Sequence, residues 1–597
     1  MKKFILMLFM VLMMMNCDSK IKQTEQMAQA FIDSLTNVIK PSNKAANLAY
    51  WEATASGEDE YYERYAGASL ELATIYANPA DFEKLKALKS SKIKDPLLAR
   101  QVEILYYRFL AKQIDTTLLK QITEMQTAVE ARFNKFRGKI DGREVTGNDI
   151  KEILVSSNDL ALREKAWEAS KQVAPAVEKD MLALVHLRNE AARKLGFNNF
   201  QQMSLITDEQ DPAEIERIFQ ELDAATREPF RHDKAMMDSI LSKRFNIKPE
   251  ELRPWHYADP FFQDVPAVSA VNLDQYYQNQ NVVKIAESFY AGIGLDVSQI
   301  LANSDLYERP GKYPHAYCTD IDRDGDVRIM VNVRNNEEWM ATVLHELGHA
   351  VYSINIDRQL PYFLREEAHL FTTEGIAMFF EKLSKNPTWM RAMLNLDAEE
   401  EADIREATAQ MLRLQKLIFA RWSLVMYNFE KSLYENPEQD LNKLWWDLVE
   451  QYQMINRPEN RNQPDWASKI HVCSYPVYYH NYQLGELLAA QLTEAIARYQ
   501  GVNDGAKIKY VNNPDLGNYL KTNIFSVGRK YRWDEMIVRA TGEKLTAFQN
   551  CYDTRATRAF VEGTNEAAAK AQVTSTPALK VNGVVQDNNA LLQANAD

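Results

Sequence analysis

A chain of 597 residues that is 46% hydrophobic and 26% charged can build a large packed core and is not a disordered segment. Its net charge of -13 offers no basic face to a polyanion, so nucleic-acid binding is not expected. Four cysteines, none in a Cys-x-x-Cys spacing, exclude a disulfide scaffold and a thiolate metal cluster.

At the N-terminus, Met1-Lys2-Lys3 leads into the apolar run Phe4 to Met15, followed by Asn16-Cys17. Two lysines, a dozen apolar residues and a short boundary read as an export signal over 1–16, too short to span a bilayer comfortably. A cysteine directly after the run is the pattern of a bacterial lipoprotein, although Met15-Asn16 matches the usual small residues loosely. Cleavage before Cys17, acylation on it and a tether over 17–22 are expected, with an ordinary signal peptide as the alternative. The mature chain is then exported, on the periplasmic or outer-surface side, and held by a lipid anchor.

Residues 23–565 read as one large, mostly helical domain with few Gly and Pro. Three- and four-residue apolar spacing predicts helices over 180–195, 212–225, 282–290, 402–433 and 483–499. The alternating run Val327 to Val333 predicts a strand. The acidic run Asp322-Arg323-Asp324-Gly325-Asp326 before it lacks the closing Glu of a calcium loop and reads as a plain turn. Residues 566–597, rich in Ala, Asn, Thr, Val and Gln, read as a tail or small appendage. Cys318 and Cys473 are either a bridge or two free thiols.

His345-Glu346-Leu347-Gly348-His349 carries the chemistry. On a helix, residues four apart share a face, so both imidazoles can bind one zinc ion, and Glu346 can take a proton from the hydrolytic water. Asn335 or Asn336 can cap that helix, Glu337 and Glu338 suit its first turn, and Trp339, Val343 and Leu347 give it an apolar side. Zinc needs a third protein ligand. A predicted helix over 367–382 offers Glu367, His369, Glu374 and Glu381, of which Glu374 fits best a Glu ligand one helix downstream.

The text here resembles the angiotensin-converting enzyme family of peptidyl-dipeptidases, and more distantly the thimet oligopeptidase and oligopeptidase F group. The likeness runs from about Leu187 to Leu488: Leu187–Phe197, the Leu364-Arg365-Glu366 before Glu374, His315-Ala316 thirty residues before His345, and Asp465–Val472. The resemblance implies a mostly α, two-lobed helical zinc peptidase of the gluzincin type, with a deep central channel and a few short strands near the active site. It implies one zinc per chain and peptide substrates. His315 would bond a substrate carbonyl, and the backbone after Ala316 would pair with the peptide. Lys469 would hold the substrate's C-terminal carboxylate, with His471 beside the tetrahedral intermediate. The family's Tyr-x-x-Tyr maps onto Tyr479, as carboxylate anchor, and Tyr482, at the oxyanion. An alternative register puts His480 in the oxyanion slot, and Tyr478 is also within range.

The sequence also departs from that pattern. Val449 and Asn481 replace arginines of the chloride-responsive members. Pro314 and Asn332 replace a disulfide, and Met378 replaces an Asp that supports the metal ligands. The functions expected are release of C-terminal dipeptides, endo-acting cleavage on the same scaffold, or peptide binding without cleavage by a surface lipoprotein. An intact Glu346 speaks against the last.

Overall fold

The computed structural model describes residues 2–266, 272–313, 315–502, 505–546, 579–581 and 584–586, and helices account for most of them. Many begin where the sequence supplies a cap. Asp95-Pro96 and Asp211-Pro212 open helices with a carboxylate accepting the first free N–H groups and a proline at the first turn. The stretch expected over 212–225 continues to Phe245 through an interior Pro229, because Ile218, Phe219, Leu222, Phe230, Met237 and Leu241 keep one buried face. The other periodic stretches lie within Ala174–Lys194, Val282–Gly292, Ala398–Glu435 and His480–Tyr499.

Strand Val327–Met330 pairs antiparallel with Tyr317–Asp320. In the turn between them, Asp320 accepts the Arg323 N–H at 2.8 Å and Asp322 accepts that of Asp324 at 2.9 Å. Lys40 and Lys44 pair with Asp324 and Asp322, so the acidic run is a turn neutralised by lysines.

The first helix, Lys2–Ser56, runs through the expected export signal, and the side chain of Cys17 lies outside the described residues. Among the described residues no helix is long and apolar enough to cross a membrane. With Asp59–Tyr76, Pro79–Lys89 and Pro96–Leu110 it forms an N-terminal group with an apolar cluster of its own, built on Ile32, Leu35, Leu85, Leu105 and Phe109. Tyr362 and Phe363, from the loop after the His345 helix, join that cluster. The main core occupies the rest.

Two carboxylates, Glu209 buried and Glu366 partly so, tie these parts together. Glu209 binds Arg100 and, at 2.8 Å, Arg529; Glu366 binds Arg108, Arg323 and, at 3.1 Å, Arg529. Burial opposes ionisation of both, but the arginines prevail, holding Glu209 down to about 2 and Glu366 well below the carboxylate range.

Cys318 and Cys473 are both free thiols, so the bridge considered between them is not formed, and Cys551 lies outside the described residues. Of the tail at 566–597, the antiparallel pair Leu579–Val581 and Val584–Gln586 is described.

Candidate metal centre and substrate groups

Helix Glu337–Ile354 carries the motif, and Asn336 caps it by accepting the Trp339 N–H at 2.9 Å. Val343 and Leu347 are fully buried and fix its roll, so His345 and His349 face the same way with Nε2 atoms 3.1 Å apart. Helix Leu370–Glu381 crosses it at Gly348, where a Cβ would stand 2.8 Å from the Ala377 Cα. A side chain there would push the helices apart, and the close crossing delivers Glu374. Its Oε2 lies 3.6 Å from His345 Nε2 and 3.9 Å from His349 Nε2. Helix His480–Tyr499 approaches from a third side at Gly485, where a Cβ would be 3.2 Å from the Glu374 Cβ.

His345, His349 and Glu374 offer ligand atoms all within 4.8 Å of one another, and among the described residues no other such group occurs. Tetrahedral zinc with bonds of about 2.0–2.2 Å needs ligand atoms roughly 3.2–3.6 Å apart. Shifts of a few tenths of an ångström meet that, so this donor set fits zinc.

Both histidines keep Nε2 for a metal because Nδ1 is engaged elsewhere. His345 Nδ1 meets Glu381 Oε2 at 2.8 Å, and His349 Nδ1 meets the Thr373 hydroxyl at 2.7 Å. Glu381, weighed in the sequence as a ligand, therefore supports a ligand instead. It does so one turn beyond Met378, the position where the family pattern has its supporting acid.

Burial opposes the charge on His345, yet the bond to Glu381 and the nearby Glu346 and Glu374 push it up to about 9. Burial, then the charge of His345, holds His349 well below its ordinary value. Glu346 is pushed up to about 7, by burial first, against the pull of His345 and with help from Glu374 and Glu381.

The other two candidate ligands face away from the triad. The helix starts at Leu370, not at Glu367, because His369 caps it and accepts the Phe371 N–H at 3.2 Å. His369 Nε2 reaches the Asp208 carbonyl at 2.9 Å, and Glu367 accepts from the Ser353 hydroxyl.

On the substrate side, Lys469 is buried and donates to Gln263 Oε1 at 3.0 Å; Tyr479 donates to the same oxygen at 3.3 Å. Trp422 Nε1 donates to the Tyr479 oxygen at 2.8 Å, and the Lys469 ammonium stands over Phe261, Trp422 and Tyr479 at 5.0–5.4 Å. Burial pulls Lys469 down to about 8 against Asp259 and Asp264. Gln263 escaped the sequence reading: it lies in a loop 206 residues from Lys469 with no motif around it.

His471 packs edge-on against Tyr479, with ring centroids 5.1 Å apart, and its buried Nδ1 has no hydrogen-bond partner among the described residues. Burial, then Lys469, holds it down to about 4, so it is neutral at pH 7. Tyr482 sits 5.4 Å from Tyr479 and 5.1 Å from Tyr478 by ring centroid. Burial, then Glu374, pushes its phenol up, so it keeps its proton.

The register that puts His480 at the oxyanion fails. His480 is fully enclosed on the opposite side of the helix, with Nε2 2.7 Å from Gln210 Oε1. The loop before these tyrosines is held at Val477, whose φ is 55° and whose N–H is accepted by the buried Glu430 at 2.9 Å.

His315 is exposed and meets Tyr313 edge-on with ring centroids 5.2 Å apart, and Ala316 is half-buried. The strand that follows packs against the motif helix, and its Cys318 is pushed well up by burial and then by Glu346 and Glu367. Among the described residues, the two-stranded sheet leaves Tyr317–Asp320 one edge without a strand partner. Val449 lines a small cavity with Trp445, Trp446, Lys171 and Asp465, and the Asn481 side-chain oxygen accepts from Gln210 at 2.7 Å.

Compared with known proteins, residues 153–550 match the model of peptidase family M3, and residues 22–228 match the model described as angiotensin-converting enzyme. The chain is 26% identical over 296 residues to the angiotensin-converting enzyme of Mesocricetus auratus, covering 47% of this chain and 22% of that one. The chain thus spans less than a quarter of that relative's length. It is 21% identical over 469 residues to the enzyme of the same name from Haematobia irritans exigua, covering 71% of this chain and 76% of that one. With the angiotensin-converting enzyme-related protein of Drosophila melanogaster it shares 21% over 303 residues, 48% of this chain and 47% of the relative.

Proposed function

The chain belongs to peptidase family M3, a family of zinc metallopeptidases, and from that premise we propose that it is a peptidyl-dipeptidase that removes dipeptides from the free C-terminus of peptides. His345, His349 and Glu374 would hold one zinc ion. When bound, zinc supplies Lewis-acid polarisation of water and of the scissile carbonyl.

Glu346 is the general base: its carboxylate takes a proton from the attacking water and passes it to the leaving amine. Tyr482, which retains its proton, and neutral His471 donate hydrogen bonds to the oxyanion as it forms. The backbone at His315-Ala316 lines up the peptide as an added strand. Lys469, Tyr479 and Gln263 take the terminal carboxylate and so count residues back from the end.

The observation that carries the exo-acting reading is this last group. A buried ammonium stands with a phenol and an amide, and no carboxylate among the described residues forms an ion pair with it. A charge-assisted bond to a substrate carboxylate is worth roughly 1.5–3 kcal/mol, a factor of about 10 to 150. The test is mass spectrometry of the products from matched free-acid and C-amidated peptides. Dipeptides are expected, with hydrolysis of the amide slower by that factor, and Lys469→Ala should be slow on both and indifferent to amidation.

The M3 match over residues 153–550 favours, as the second reading, endo-acting cleavage. It predicts longer fragments and equal rates on the two peptides. Export and acylation at Cys17 complete the proposal, and fatty-acid labelling that survives Cys17→Ala would refute the anchor.

A further inference from the structure

The backbone from Asp259 to Asp264 belongs to no helix or strand, yet it is gripped at almost every polar group. The Asp259 carboxylate accepts three N–H groups: Phe261 at 2.8 Å, Gln263 at 2.9 Å and Asp264 at 2.9 Å. Its carbonyl takes that of Phe262 at 3.4 Å. The carbonyls are held from elsewhere in the chain. Pro260 accepts from Trp167 Nε1 at 3.1 Å and Lys171 Nζ at 3.0 Å; Phe261 and Phe262 accept from Gln453 Nε2 at 3.0 and 2.8 Å. Phe262 is forced to φ 53°, a conformation a bulky residue adopts only when its surroundings impose it.

Asp259, Lys171 and Gln453 are all buried, at 3%, 4% and 1% exposure. Burying so much polar apparatus to shape six residues is expensive unless what they present must be held still. What they present is Gln263, whose side chain touches Lys469 and Tyr479. Asp259 is also the leading negative charge acting on Lys469, although the two form no ion pair.

We infer that Asp259 is a positioning residue for recognition of the peptide's C-terminus. It folds 260–264 so that Gln263 meets Lys469 and Tyr479, and it supports the charge of Lys469 from a distance, leaving the ammonium open to a substrate carboxylate. This rests on the carboxylate-binding reading above. A carboxylate in contact with Lys469 would neutralise it and compete with the peptide; one held behind three backbone N–H groups cannot.

The test uses the full-length zinc enzyme and matched free-acid and C-amidated peptides, with Asp259→Asn, Gln453→Leu, Gln263→Ala and the Asp259→Asn/Gln263→Ala double variant. Asn keeps the volume of Asp but replaces one acceptor oxygen with a donor. Losing one such bond is worth about fivefold. Asp259→Asn should therefore raise KM for the free acid about fivefold or more with little change in kcat, and shrink the preference over the amide. Gln453→Leu, which leaves every charge in place, should do the same to a smaller degree.

The double variant should lose less than the product of its parents' losses, because part of what Asp259 does runs through Gln263. Asp259→Asn and Gln453→Leu with wild-type preference, or with equal losses on both peptides, would overturn the inference. If Asp259→Asn does not fold, Gln453→Leu alone decides. A wild type indifferent to amidation removes the carboxylate-binding reading as well; a wild type that discriminates beside variants that discriminate equally removes only the role of Asp259.

Discussion

Replacing Glu381 by alanine should weaken zinc binding more than replacing Thr373 by valine, although the two side chains make bonds of nearly equal length to the two histidines. The bond from Glu381 to His345 Nδ1 is 2.8 Å and charge-assisted, in the class worth about 1.5–3 kcal/mol; that from Thr373 to His349 Nδ1 is 2.7 Å and neutral, worth about 0.5–1.5 kcal/mol. At about 1.4 kcal/mol per tenfold, these give roughly 10- to 150-fold and 2- to 12-fold losses. The Glu381 side chain is 33% exposed, so solvent screens part of its effect and the lower end applies, about tenfold. Glu381→Gln, which keeps an acceptor oxygen but no charge, should fall between. Zinc dissociation constants measured on the apoprotein by competition with a coloured chelator give the order directly. Wild-type affinity in Glu381→Ala, or a larger loss in Thr373→Val, would refute the assignment of Glu381 as the support that replaces the acid missing at Met378.

Glu346→Gln should keep its zinc and its affinity for peptide while losing most turnover, since the side chain is no ligand; near-normal hydrolysis with zinc bound would place the base elsewhere. Burial pushes Glu430 from 4.5 up to about 8, so the folded chain retains a proton that the unfolded chain has lost, and this group's contribution to stability declines as pH rises from about 4.5 to about 8. Glu430→Gln should therefore match the wild type in Tm at pH 5 and exceed it at pH 9, and an equal Tm difference at both pH values would contradict this. Chloride at constant ionic strength should not raise the rate strongly, because Val449 brings no charge to the cavity it lines, Asn481 is paired with Gln210, and the Lys171 ammonium in that cavity already donates to the Pro260 carbonyl; a steep chloride-specific rise would overturn it.

What could be read from the sequence was what is local. Two histidines four apart with a buried face on either side need only helix geometry, and Glu374 needed one more helix. Glu381 was harder to place. Seven residues after Glu374 it returns to the same face two turns on, near enough to be taken for a ligand, and only the crossing at Gly348 decides that it meets Nδ1 rather than the metal side. The tyrosine register was ambiguous by two residues in sequence, and the two candidates lie on opposite sides of the helix. Positions 480 and 482 differ by about 200° around a helix, so one faces Gln210 when the other faces Glu374. Gln263 had no periodicity or motif, because its place is set by side chains from Trp167, Lys171 and Gln453, all distant along the chain.

The pairing of Glu209 and Glu366 with arginines has a consequence for the order of folding. Arg529 donates to Glu209 across 320 residues and to Glu366 across 163, while Arg100 donates to the Arg529 carbonyl, at 3.1 Å, across 429. Closing a loop that long costs little more entropy than closing one half its length, so the span hardly affects the final stability. It governs timing. Arg100 can meet Glu209, and Arg108 can meet Glu366, once the first 366 residues are made, but Arg529, which joins both carboxylates, comes only near the end of the chain. A contact that arrives last leaves both carboxylates short of a partner until then, so the final packing of these parts is completed only when the C-terminal part of the chain is present.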